Sequence, residues 1–78
     1  MGIKIYPNPT NGKIYFNTDM KFLHGVQVQV LNSSGQVVLN RHVGTDPGVV
    51  DLSGNVCGIY YIRMTTDYGT KTEKVVLR

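Results

Sequence analysis

The stretch Gly58-Ile59-Tyr60-Tyr61-Ile62-Arg63-Met64 is the longest run of branched and aromatic side chains in the chain. Such side chains fit a pleated surface, and only Arg63 interrupts their apolar character. The run predicts a central strand with protein against both faces, not an edge. Alternation along the pleat places Tyr60, Ile62 and Met64 on one face and Ile59, Tyr61 and Arg63 on the other. The first set carries no charge and is the expected core face. Tyr60 also follows the turn-prone Ser53-Gly54-Asn55 and the hinge Gly58. A tyrosine at such a corner of a sandwich buries its ring and returns its hydroxyl to the backbone a few residues upstream, here near Asn55 and Val56.

The rest of the chain reads as neighbours for this strand. Ile3 to Tyr6 is a short strand stopped by Pro7, which has no N–H to give to a ladder, and Pro9 holds Asn8 in an extended state. Pro9-Thr10-Asn11-Gly12 is a turn, with Gly12 or Asn11 supplying a positive φ. Lys13 to Asn17 is a second strand, with Ile14 and Phe16 on one face and Tyr15 on the other. Within Thr18 to Gly25, Phe22 and Leu23 are expected to dip into the core from a loop. Val26-Gln27-Val28-Gln29-Val30 alternates cleanly, apolar in and polar out. Asn32-Ser33-Ser34-Gly35 closes a hairpin on a left-handed glycine, and Gln36 to Val43 returns with Val38, or Val37 and Leu39, turned inward. Gly44 to Gly48 is a loop by composition. Val49 to Leu52 is a fifth strand, Asp67-Tyr68-Gly69-Thr70 turns the central strand back, and Thr72 to Leu77 is the last. About seven short strands with no helical period predict an all-β, antiparallel, immunoglobulin-like β-sandwich.

Size and charge narrow the function. Seventy-eight residues make room for a single domain, 1–78, and a chain that small has little core to give up for a catalytic cleft. No enzyme is expected. Eight basic and five acidic residues give a net charge of +3, but the basic residues are scattered and form no patch of the kind nucleic acids need. No apolar run is long enough to insert in a membrane, and Met1-Gly2-Ile3 does not open a signal peptide. Met1-Gly2 reads as a cloning remnant on a piece of a longer protein. His24, His42 and Cys57 lack metal-site spacing, and the aspartates lie in separate loops with no calcium-loop pattern. No cofactor is expected. One cysteine excludes an internal disulfide, and Cys57 is expected to be buried as a small hydrophobe, in keeping with its residue type. Asn32-Ser33-Ser34 matches the glycosylation sequon, a pattern that arises often by chance. Tyr6, Tyr15 and Tyr60 are read as core or half-core residues, leaving Tyr61 and Tyr68 to face a ligand.

Several stretches taken together carry a resemblance. Tyr6-Pro7-Asn8-Pro9-Thr10-Asn11-Gly12 opens the chain, and Val26 to Val30 leads through Leu31-Asn32-Ser33-Ser34-Gly35-Gln36-Val37-Val38. Val50-Asp51-Leu52-Ser53, Gly58-Ile59-Tyr60-Tyr61-Ile62 and Lys74-Val75-Val76-Leu77 follow in order. From Ile3 to Arg78 the chain resembles the C-terminal sorting domain of the type IX (Por) secretion system, type A. Pro7, Asn8, Pro9 and Gly12 match its opening motif, Gly35 the hairpin glycine, Gly58 and Tyr60 the G-x-Y, and Lys74 the basic residue of the final strand. Val56-Cys57 departs from the leucine and small residue usual there.

The resemblance implies a signal on the end of a larger cargo protein of a Gram-negative bacterium. Such a cargo enters the periplasm on its own N-terminal signal peptide, and the outer-membrane translocon then recognises the sorting domain. A sortase-like peptidase removes the domain, often joining the cargo to surface lipopolysaccharide. The implied localisation is secreted or outer-membrane surface, via the periplasm. A terminal strand at a sheet edge would offer unpaired N–H and C=O groups. Lys71, Lys74 and Arg78 would either guard that edge or form the surface the translocon reads, with Pro7, Asn8, Pro9 and Gly12 as the other recognition candidates. The alternative reading is a small carbohydrate-binding or structural β-sandwich appended to a secreted polysaccharide-active enzyme.

Overall fold

Alternating apolar residues need a second apolar surface to bury against, and two sheets supply one to each other. A computed structural model of the chain describes residues 3–17, 24–43 and 48–78. Phe22, Leu23, Met1-Gly2 and most of the Gly44–Gly48 loop lie outside the described residues. The strands are β1 (Lys4–Tyr6), β2 (Lys13–Asn17), β3 (Val26–Asn32), β4 (Val37–Val43), β5 (Val49–Asp51), β6 (Gly58–Thr66) and β7 (Gly69–Leu77). They form a three-stranded sheet in the order β1-β2-β5 and a four-stranded sheet in the order β4-β3-β6-β7, each antiparallel throughout. The expected all-β sandwich is the fold observed.

The core lies between the sheets and follows the alternation. Ile14 and Phe16 of β2, Val26, Val28 and Val30 of β3, and Tyr60, Ile62 and Met64 of β6 are all buried. Val50, Leu52, Val75 and Leu77 complete it with Ile3. Strand β6 is central in its sheet, as predicted, but only one of its faces is covered. Ile59 and Tyr61 on the other face are exposed. The larger sheet turns that face outward, with Gln29 of β3 accepting a hydrogen bond from Arg63, so the expectation of protein on both faces is corrected.

One turn and one bulge fix the register of β4 on β3. Asn32 Oδ1 accepts the N–H groups of Ser34 and Gln36 at 3.0 Å each, and Gly35, at φ 85°, takes the left-handed conformation that the β3–β4 hairpin requires. Beyond it, Val30 pairs with Leu39 but Leu31 with Val37, leaving Val38 as an extra residue. That bulge turns Val37 and Val38 outward, and both are exposed. Of the three residues expected to turn inward in this strand, Leu39 alone packs on the core.

Candidate functional site

Strand β7 is the edge of the larger sheet, and its outer side is where the sequence motifs meet. In an antiparallel ladder, alternate residues turn their N–H and C=O away from the neighbouring strand. On β7 those residues include Lys74 and Val76, and the segment between β1 and β2 is bound to them. Asn8 Nδ2 donates to the Lys74 carbonyl at 2.9 Å, and the Val76 N–H donates back to Asn8 Oδ1 at 3.1 Å. Two residues on, the Thr10 N–H donates to the Val76 carbonyl, and the Arg78 N–H donates to the Thr10 carbonyl, both at 2.9 Å. Thr10 thus lies parallel to Leu77 as a short extra rung. The opening segment is a strap across the edge of the last strand.

Thr10 anchors the strap, although it is not among the residues matched to the opening motif. It is buried, its hydroxyl donating to the Lys13 carbonyl at 2.6 Å and accepting from the Gly12 N–H at 3.1 Å. Nothing periodic in the sequence singled it out, because the main-chain bonds that mark it join Thr10 to Val76 and Arg78 at the far end of the chain. Gly12 is favoured first by its φ of 153°, which side chains rarely adopt, and a Cβ would also oblige the Ser53 hydroxyl to turn aside. A Cβ there would lie 2.5 Å from Ser53 Oγ, because the Gly12 carbonyl accepts from Leu52 N at 2.8 Å and draws the two segments together. Pro7 and Pro9, each preceded by a cis peptide bond, project into solvent with Asn8 between them.

The three basic candidates of the terminal strand separate into two kinds. Lys71 Nζ donates to the Ile3 carbonyl at 3.0 Å and pairs with Glu73 at 3.2 Å. It ties β7 to the start of β1 and is not a free charge. Lys74 and Arg78 are exposed and, among the described residues, have no acidic partner. They flank the strap, so the structure gathers Pro7, Asn8, Pro9, Lys74 and Arg78 on one corner of the sandwich, with Gly12 buried beneath them. Gly35 sits apart in the β3–β4 turn, and Gly58 opens β6.

Tyr60 makes the expected corner. Its ring is buried, and its hydroxyl donates to the Val56 carbonyl at 2.5 Å. The rest of that corner departs from expectation. Cys57 is exposed beside Val56, itself 82% exposed. Both line an open groove of about 320 Å³ against the β3–β4 turn, and the thiol is not covered by any described residue. Tyr6 and Tyr15 are exposed too, against the core reading. Their side chains point outward from the smaller sheet and stack on each other with centroids 5.8 Å apart. Tyr61 and Tyr68 are exposed as expected. Tyr61 lies five residue steps from Thr66 at the end of β6, a span of roughly 16 Å at about 3.3 Å per residue, so Tyr61 and Tyr68 do not form one stacking platform.

Other chemistry is sparse. Among the described residues no group of three or more His, Cys, Asp or Glu side chains is gathered to hold a metal ion. His24 Nδ1 lies 2.7 Å from Asp67 Oδ1, a surface pair. The Ser53 hydroxyl and N–H, with Lys13 alongside, hold the Asp51 carboxyl below the ordinary aspartate range. In the sequon, Asn32 Nδ2 donates to Gln36 Oε1 at 3.2 Å, so its amide serves the turn.

No curated protein sequence matches the chain. A family model described as a secretion system C-terminal sorting domain matches residues 4–78, a span that includes both halves of the strap. The chain therefore belongs to the C-terminal sorting domains of the type IX (Por) secretion system, modules that a larger cargo protein carries as its export signal.

Proposed function

We propose that the corner formed by the opening strap and the end of β7 is the surface that the outer-membrane translocon of the type IX system reads. The observation that supports it is the pairing of Asn8 and Thr10 with Lys74, Val76 and Arg78. It makes one continuous surface of motifs from the two ends of the described fold, and the two exposed cations upon it have no acidic partner among the described residues. In this reading Pro7, Asn8, Pro9, Lys74 and Arg78 face the translocon, while Lys71 and Gly12 hold the surface in shape. Its cargo reaches the periplasm on a signal peptide of its own. After passage through the outer membrane, a sortase-like peptidase removes the domain and releases the cargo or joins it to the cell surface.

The test is fusion of residues 1–78 to a periplasm-exported reporter in a type IX-competent bacterium. Lys74→Ala with Arg78→Ala removes both exposed charges and leaves the Lys71 contacts alone. Exposed substitutions of this kind change stability by about 0.5 kcal/mol or less each. The doubly substituted domain should melt like the parent and leave the reporter in the periplasm. Undiminished export would move recognition off these charges, and failure of the parent fusion itself would sink the export reading.

A further inference from the structure

The four sheet edges are not alike. β1 and β5 are three residues long, and β7 carries the strap over its last residues. β4 runs for seven residues, with neither proline nor lysine in it, and such an edge templates a further strand unless something blunts it. Its bulge at Val38 blunts one end only; from Leu39 to Val43 the pairing with β3 is regular.

The side on which β4 is unpaired follows from the ladder. Val76 and Lys74 turn outward from β6, so Val75 and Glu73 turn toward it, opposite Tyr60 and Ile62. Carried across β6 and β3, the alternation gives Val28–Arg41 and Val30–Leu39 as the hydrogen-bonded pairs. The main-chain N–H and C=O groups of Asn40 and His42 therefore point away from the sheet, and no described residue pairs with them. Along this edge Leu39 is half-buried on the core side and Arg41 beyond it is exposed. Arg41 has no ion pair among the described residues, and β3, β4 and β6 contain no acidic residue.

We propose that this edge of β4 is a docking site for an extended strand of a partner protein, one carrying an acidic residue two positions from an apolar one. The guest's main chain pairs with Asn40 and His42. Its acidic side chain faces Arg41, and the apolar one, on the same face of the guest, packs beside Leu39. Main-chain pairing supplies affinity in such additions and the alternate side chains supply selectivity. A second copy of this chain is a poor guest, since its own β4 brings Arg41 and no acid, and like charges across paired strands repel. This site lies on the edge opposite β7 and is independent of the export surface proposed above.

A fluorescently labelled seven-residue peptide tests it, with threonine alternating with glutamate, valine and valine in that order. A control peptide carries lysine in place of glutamate. The 78-residue chain should bind the glutamate peptide at least tenfold more tightly than the lysine one, with the Asn40 and His42 amides slowed in hydrogen exchange. Arg41→Glu should reverse the preference. His42→Pro removes an outward N–H without breaking the β3 ladder, which an edge strand tolerates, and should weaken binding at least tenfold while the circular dichroism spectrum is unchanged. The proposal is overturned if neither peptide binds, if Arg41→Glu leaves the preference as it was, or if protection falls elsewhere. A concentration-dependent dimer that protects these same amides would also overturn it, by making a second copy the occupant.

Discussion

Replacing Thr10 by valine removes one hydroxyl and keeps the shape of the side chain. The main-chain bonds of the strap, Thr10 N to Val76 O and Arg78 N to Thr10 O, do not involve that hydroxyl. What is lost is its donation to the Lys13 carbonyl and its acceptance from the Gly12 N–H. Thr10 and Gly12 are both buried, so water does not easily replace the second bond. An unsatisfied buried donor or acceptor costs about 1–3 kcal/mol. Lys13 is exposed, which puts its carbonyl at the low end, and the two together come to about 2–4 kcal/mol. At roughly 0.05–0.15 kcal/mol per residue, a chain of this length has about 4–12 kcal/mol in all. Thr10→Val should therefore lower the melting temperature by about 8–32 °C, since 1 kcal/mol shifts a domain of this size by about 4–8 °C. Thr10→Ser keeps the hydroxyl and loses a methyl, at a cost of about 0.8 kcal/mol. Urea denaturation of the three proteins decides the matter. A valine variant within about 0.5 kcal/mol of the parent would mean that the hydroxyl does not anchor the strap.

Tyr60→Phe should cost about 0.5–1.5 kcal/mol, because Val56 is exposed and its abandoned carbonyl can be hydrated; Tyr61→Phe should be near neutral, and equal denaturation midpoints for the two would contradict the facing of β6. Cys57 should react with a maleimide in the native protein about as fast as a free thiol peptide, whereas labelling that waits for unfolding would show the thiol to be covered. Asp51 is held below its unfolded value, so its contribution to stability is present above about pH 4 and lost as pH falls through the lower folded value. Asp51→Asn should flatten stability across that acid range, and an unchanged acid dependence would remove Asp51 from the account.

What was legible in the sequence was whatever alternation encodes. Val26, Val28 and Val30, with Ile62 and Met64, are buried because a period of two delivers them to one side of a sheet. Tyr60 was legible as well, since its partner at Val56 is four residues away. The other face of β6 was misread because strand propensity measures fit to a pleated, half-buried surface, not burial on both sides. Ile59 and Tyr61 fit such a surface while exposed. Cys57 was misplaced by a statistical habit of its residue type, which says nothing about a loop where Val56 is exposed too. The strap was invisible for a different reason. Asn8 meets Lys74 across 66 positions, and a contact of that range leaves no periodic trace in either segment.

That long-range contact bears on how a sorting signal of this kind can be read. Lys74, Val76 and Arg78 supply the partners of the strap, and Val75 and Leu77 between them fill the core. The same five residues therefore hold the β7 edge in the sheet and the opening segment on that edge. Lys71, fixed to the Ile3 carbonyl, ties the other end of β7 to the chain's beginning, which makes it a poor probe of recognition. Removing it disturbs the scaffold, whereas Lys74 and Arg78 engage the strap only through their main chains. Their side chains can be changed without touching a single strap bond. The opening motif and the terminal strand are thus one object structurally, and only the side chains standing off it can be altered as recognition elements alone.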